Sequence, residues 1–338
     1  MTQNGKPITV LFIMGLGRSG STILDIVLGN HPDIESVGEV CNLAFTGWIG
    51  RDPLHGIDEK LLRIPVCTCG KRLDIPAIDD EAEACPFWSS VRREWEQRAG
   101  QDDIECYPAL QDAFERQRNW PRLLYAKYRS SPRFSSYARL TRAFFEAIRA
   151  VSGKPIIVDS SKAPVRAFAL SMVPGIDLRL VHLVRDGRGV IASRSKSLKK
   201  DVGAGIEWDH EGQPMWKSIV RWLGLNLESE WICDQLDPGK TMRLRYEDFV
   251  GYPASALGQL GALMGLDLTD VAKAATSGTT MQVGHNCGGN RIRKSETITL
   301  RPDIGEWQNM LSTAEQRVSW ALTAWLMRRY GYKRIPAT

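Results

Sequence analysis

No stretch of this chain stays apolar for the roughly 18 to 20 residues that a membrane-spanning helix needs, so no transmembrane segment is expected. Internal repeats and low-complexity tracts are missing, and no solenoid or disordered tail is expected. A strong excess of one charge is also missing. The 44 Lys and Arg against 39 Asp and Glu leave a net charge of +5, too mild to argue for nucleic acid by itself. Cysteine is modest, at 7 residues. That odd count, with no secretion signal ahead of it, excludes a disulfide-dense scaffold and predicts a reduced, cytoplasmic protein. The first apolar run, Ile8 to Met14, leads into a glycine-rich turn and not a cleavage site, so it reads as a strand. What is there is ordinary for a globular protein: 43% hydrophobic and 25% charged residues over 338 positions, enough for a sizeable core.

Further strand-like runs lie at Ile156–Val158, Leu178–Val184 and Met242–Tyr246, rich in Val, Ile and Leu and without clean alternation. Strands buried on both faces look like this. Helical patterns fall at Ser21–Gly29, Tyr137–Val151, Val165–Met172, Met215–Gln235, Ser255–Met264 and Thr313–Tyr330. The alternation predicts an α/β fold of the P-loop type: three layers, α/β/α, around a central parallel sheet. Residues 47–136 break the rhythm with clustered cysteines, tryptophans and charges. They read as a mostly helical insertion within a single domain spanning 1–338, either a structural excursion over the sheet or a place that shapes substrate specificity.

Directly after the first strand comes Gly15-Leu16-Gly17-Arg18-Ser19-Gly20-Ser21-Thr22, then a helical run. Strand, glycine-rich turn and helix aim backbone N–H groups and a helix dipole at an anion. The spacing is that of a P-loop, with one departure. Ser21 stands where the P-loop lysine belongs, and the cation is Arg18. A kinase needs that lysine on the β- and γ-phosphates, so phosphate is held differently here.

These residues resemble the sulfotransferases that use 3′-phosphoadenosine 5′-phosphosulfate (PAPS), in their bacterial and protein-tyrosine branches. Arg18-Ser19-Gly20-Ser21-Thr22 is similar to their 5′-phosphosulfate loop, and His31-Pro32-Asp33 with Gly38-Glu39 to its continuation. Val158-Asp159-Ser160-Ser161-Lys162 is similar to the lysine segment, and Leu183-Val184-Arg185-Asp186-Gly187-Arg188 with Ser193 to the 3′-phosphate motif. Arg245-Tyr246-Glu247-Asp248 resembles a later strand-end segment, and Gly289-Asn290-Arg291-Ile292-Arg293-Lys294 the C-terminal phosphate loop, with Trp307 beyond. The resemblance implies that Gly17, Arg18, Ser19, Gly20, Ser21 and Thr22 hold the 5′ end. Arg185 and Ser193 would hold the 3′-phosphate, with Tyr246, Asn290, Arg291, Arg293 and Lys294 completing the pocket. It also implies catalytic roles for Glu39 as general base and for Lys162 and Arg18 at the departing phosphate. For such a base, partial desolvation with a raised pKa is expected. The cytosolic branch uses a histidine instead. His182 lies in an apolar strand and reads as a core residue, with His55, His210 and His285 as weaker alternatives.

The implied partner is a hydroxyl-bearing acceptor (small molecule, carbohydrate or lipid). PAPS is the co-substrate, and neither a metal nor nucleic acid is expected. Cys67, Cys69 and Cys85 could join Cys41 as four thiolate ligands. The Cys-x-Cys step is tighter than a usual zinc knuckle, however, and buried thiols or a redox pair are alternatives. Between Arg116 and Arg142 lie eight Lys or Arg and no acid, interleaved with aromatics. That stretch reads as a solvated helix face or as a surface for an acidic or lipid-linked acceptor. Residues 195–214 read as a lid. Two rivals stand beside sulfotransfer: a nucleotide kinase on the same fold, and a non-catalytic nucleotide-binding protein.

Overall fold

The computed structural model describes residues 6–48, 67–71, 73, 84–100, 104–197, 199, 211–289, 291–301 and 305–334, with backbone only at 42, 45–47, 291 and 294. Five parallel strands make the central sheet: β1 (Ile8–Met14), β2 (Ile34–Gly38), β3 (Ile156–Lys162), β4 (Ile176–Val184) and β5 (Thr241–Arg245), in the order β2-β3-β1-β4-β5. Side chains of β1 alternate between two cores. Val10, Phe12 and Met14 enter one, Leu11 and Ile13 the other. Burial on both faces explains the unbroken apolar run.

Helices cover both faces. On one side lie α1 (Ser21–Gly29) and, late in the chain, α10 (Pro253–Met264) and α11 (Thr269–Ser277). The other face is covered by α2 (Pro86–Ala99), α3 (Tyr107–Glu115), α4 (Trp120–Tyr128), α5 (Pro132–Ser152) and α6 (Pro164–Ser171). After β4 come α7 (Gly187–Ser195) and α8 (Met215–Cys233); α9 (Tyr246–Gly251) leaves β5. The short α12 (Trp307–Met310) and the capped α13 (Thr313–Arg329) pack on α7 and α8. The three-layer α/β/α expectation holds, and α2 to α4 supply the helical character expected of residues 47–136. Trp88 and Trp95 of α2 are buried against Trp48 and Phe144, so the aromatics there are core. Several cations of the basic stretch are neutralised nearby: Arg116 and Arg118 by Asp112, Arg142 by Glu146.

Strand β3 runs four residues past the apolar segment Ile156–Val158, through Asp159, Ser160, Ser161 and Lys162. Polar residues can continue a buried strand only if they are satisfied. Here Asp159 accepts from Nε and Nη2 of Arg166, at 3.2 and 3.1 Å. Arg166 also donates through Nη1 to Glu115 of α3, and Glu115 accepts from Tyr137 Oη at 2.8 Å. All three charged groups are buried, Arg166 at 1% exposure. Burial opposes the charge on Arg166, but Glu115 and Asp159 raise its pKa well above the usual value. Replacing Arg166 with Met would strand two carboxylates in the core. The expected loss is about 3 to 5 kcal/mol, read from urea unfolding; a loss below ~1 kcal/mol would show that the network carries little stability.

Candidate active site

The connection leaving β1 runs toward β2 and the one leaving β4 toward β5. The crevice between such strands, at their C-terminal ends, is where open α/β sheets take ligands. The loop after β1 fills it. Gly20 caps α1 with φ +92°, and a Cβ there would sit 2.3 Å from the Tyr246 ring. Gly15 is as constrained: a Cβ would lie 2.4 Å from the Leu183 carbonyl oxygen. Gly17, in contrast, faces open space. Arg18 has φ +81° without being glycine, a strained conformation of the kind that gathers at ligand sites.

Lys162 is the other non-glycine residue with positive φ among those described, at +69°. It ends β3, and its Nζ donates to Glu39 Oε1. Glu39 directly follows β2 and keeps 22% side-chain exposure. Cys41, two residues on, donates its N–H to Ser161 Oγ at 3.1 Å, and Ser161 N–H donates to Asp159 at 2.9 Å. The ends of β2 and β3 are thereby tied together. Beneath them Asp25 of α1 is fully buried. Burial holds its carboxyl well above the usual range, with Asp159 adding to the effect and hydrogen bonds from Ser36 and Ser160 opposing it.

Residues 284–289 pass over the same place. Glu39 N–H donates to the Cys287 carbonyl at 2.6 Å, and Cys287 N–H to Val37 at 3.2 Å. A Cβ on Gly289 would stand 3.1 Å from Thr22 Oγ1 and 3.4 Å from Glu39 Oε1. Thr22, Glu39 and Gly289 therefore crowd one spot.

The second motif meets the first. Arg185 Nη1 donates to the Arg18 carbonyl at 3.1 Å, and its guanidinium lies 4.5 Å from the Tyr246 ring centroid. Asp186 pairs with Arg188, not with Arg185. Arg188 is buried against Trp307 and Trp320 and supports the structure. Tyr246 is buried between Gly20 and Arg185. Ser193 lies half-buried on α7. Arg293 is buried near Cys287. Asn290 lies outside the described residues, as do the side chains of Arg291 and Lys294 and most of the expected lid. One residue the motifs missed is Arg194. Burial lowers its pKa, and the charges of Arg221 and Arg18 lower it further. Positive charges gathered in this way suit an anionic ligand.

The histidine alternatives separate. His55 and His210 lie outside the described residues. His285 sits with Cys67 and Cys85, while Cys41 is elsewhere, its thiol pushed up to about 12 by burial. The set of four thiolates including Cys41 is therefore not formed. His182 Nε2 donates to Asn226 Oδ1, 2.9 Å away, while the Asn226 amide nitrogen donates to the Trp222 carbonyl. Burial lowers its pKa to about 4, against the raising effect of that hydrogen bond. An unfolded chain takes up this proton near pH 6.5 and the folded one only near 4. Stability should then fall as pH drops through that window, by on the order of 3 kcal/mol. Unfolding midpoints of wild type and His182→Gln across the window check this; parallel pH curves would contradict it.

Residues 76–270, more than half of the chain, match the family described as the sulfotransferase family. Among solved structures, the sulfotransferase domain of the Synechococcus PCC 7002 olefin synthase shares 19% identity, with 99% of this chain and 98% of that one covered and a TM-score of 0.51. A sulfotransferase domain from the curacin biosynthetic pathway is 15% identical over 98% of this chain and 100% of that one, with a TM-score of 0.48. A sulfotransferase from Mycobacterium avium is 12% identical over 96% and 77%, with a TM-score of 0.44. No curated protein matches the sequence. A phosphate-type loop at the sheet's carboxyl edge, the matched segment and the olefin synthase domain's fold agree, and the chain belongs to the sulfotransferase family.

Proposed function

We propose that the protein transfers the sulfuryl group of PAPS to a hydroxyl acceptor, as a single domain, with Glu39 as general base. What supports this most is the convergence of Glu39, Lys162 and Thr22 beside the first loop. The residues fit the donor. Amides at the start of α1 and Arg18 would take the 5′ end, and Arg185 the 3′-phosphate, its planar fork matching two phosphate oxygens. Arg194 and Arg221 add positive charge nearby.

In the step itself the acceptor oxygen attacks sulfur in line while the bond from sulfur to the 5′-phosphate oxygen breaks. Glu39 takes the hydroxyl proton as the new bond forms. Negative charge grows on the departing phosphate oxygen, where Lys162 and Arg18 would stabilise it. In the free protein Lys162 and Glu39 neutralise each other. Donor binding would draw Lys162 to phosphate and release the carboxylate toward the acceptor. The segment before α5 would shape the acceptor pocket, for a small molecule, carbohydrate or lipid. Among the described residues no helix is long and apolar enough to cross a membrane, and a reducing cytoplasmic setting belongs to the same proposal.

The acceptor can be found as a species gaining about 80 daltons (the mass of SO₃) when a cell extract is incubated with enzyme and PAPS. With that acceptor, Glu39→Gln should lower turnover by about two to four orders of magnitude, while calorimetric affinity for the desulfated nucleotide stays near wild type. Full activity in that variant would remove Glu39 from the chemistry. Arg185→Ala should weaken PAPS by roughly 1.5 to 3 kcal/mol yet hardly change binding of adenosine 5′-phosphosulfate, which lacks the 3′-phosphate. Equal losses for both nucleotides would make Arg185 structural. Turnover of ATP that depends on magnesium would favour the kinase instead.

A further inference from the structure

We propose that Cys67, Cys69, Cys85 and His285 form a structural zinc site that fastens residues 67–71 and the start of α2 to the loop crossing Glu39. The ligand atoms of all four lie within 4.8 Å of one another. His285 Nδ1 stands 3.4 Å from Cys85 Sγ and 3.7 Å from Cys67 Sγ. Zinc bonds of about 2.3 Å to sulfur and 2.0 Å to nitrogen give a tetrahedral S–N edge of about 3.5 Å. The observed separations bracket that value.

The ligands are also held in place for the task. The Cys67–Gly70 segment is a tight turn. Gly70 N–H donates to the Cys67 carbonyl at 2.9 Å, and Gly70 takes φ +80°. Cys85 caps the N-terminus of α2, where the helix dipole favours a thiolate. The His285 ring stacks on Phe87, with centroids 5.3 Å apart and planes at 12°, and its carbonyl accepts from Trp88 Nε1 at 2.8 Å. Packing that locks a ligand's orientation is what a metal site requires around it.

A disulfide would use two of the sulfurs and leave a third thiol and an imidazole turned toward it without purpose. A metal uses all four. Three thiolates and one imidazole fill a tetrahedron with no position for substrate, so the site is structural and its donor set favours zinc over harder divalent ions. Sequence spacing assigned no metal ligands because the Cys-x-Cys step is tighter than a usual zinc knuckle, and the one ligand set it offered took Cys41 as the fourth member. The fourth partner is a histidine 200 residues beyond Cys85.

The site acts on the residues just after His285. Asn286 N–H donates to Thr68 Oγ1 at 2.9 Å and Thr68 N–H to the Asn286 carbonyl at 3.3 Å. Cys287 then pairs with the edge of β2, and Gly289 reaches Glu39 and Thr22. Metal at His285 would therefore fix the loop that walls the site, whatever donor the enzyme uses.

Elemental analysis of the full-length protein, purified without chelator from zinc-supplemented cells, should find about one zinc per chain. His285→Ala and Cys69→Ser should retain less than about a tenth of that, His285→Cys should restore it, and Cys106→Ser should leave it unchanged. Cobalt substituted for zinc should show the intense d–d and thiolate charge-transfer bands of a tetrahedral site. If the variants fail to fold, the wild type decides. Native mass spectrometry should show the chain plus one zinc, and release by a thiol-blocking mercurial should lower its thermal midpoint. A metal-free wild type whose midpoint ignores added zinc, or a Cys67–Cys85 disulfide in the native protein, would overturn the proposal.

Discussion

The site depends on a guanidinium buried in the core. Arg166 reaches Asp159 on one side and Glu115 on the other, all out of water. Asp159 in turn holds the Ser161 amide, and Ser161 holds the Cys41 amide. This chain of bonds runs from the helices covering one face, through β3, to the segment after β2. It keeps Lys162 in a backbone conformation that a lysine rarely adopts and sets it opposite Glu39. Remove the charge at Arg166 and the strand has no reason to carry Asp159 into the core.

The phosphate side is built by close packing. Gly20 has no side chain because the Tyr246 ring occupies that space, and the opposite face of the pocket is set by Arg185 over the same ring. Tyr246 thus links the loop after β1 with the strand end after β4. The cost is electrostatic. Arg194 feels the charges of Arg221 and Arg18, and a bound polyanion would relieve that repulsion. Burial also raises the pKa of Asp25, which disfavours its charged form.

The alternation of apolar runs and helical patterns was enough to read the parallel sheet, because strands buried on both faces leave a strong signal. The loop at Gly15–Thr22 and Arg185 were legible from motif spacing, and the structure joins them through the Arg18 carbonyl. Two features were not. The polar residues Asp159 to Lys162 can continue β3 beyond its apolar run because Arg166 satisfies Asp159. His285 reads as a stray candidate base, because nothing local connects it to Cys67, Cys69 and Cys85. In each case the deciding partner lies far along the chain, where periodicity and spacing carry no information.

In the proposed enzyme Glu39 and Lys162 face the reacting end of a nucleotide phosphorylated at its 3′ position. A crystal structure with the desulfated nucleotide tests that placement most directly. The 5′-phosphate should accept hydrogen bonds from the Ser19–Thr22 amides and Lys162, the 3′-phosphate should lie on Arg185, and Glu39 should point to open space beyond the 5′ end. A nucleotide bound elsewhere, or bound with its 3′-phosphate at the first loop and its 5′ end away from Lys162, would contradict it.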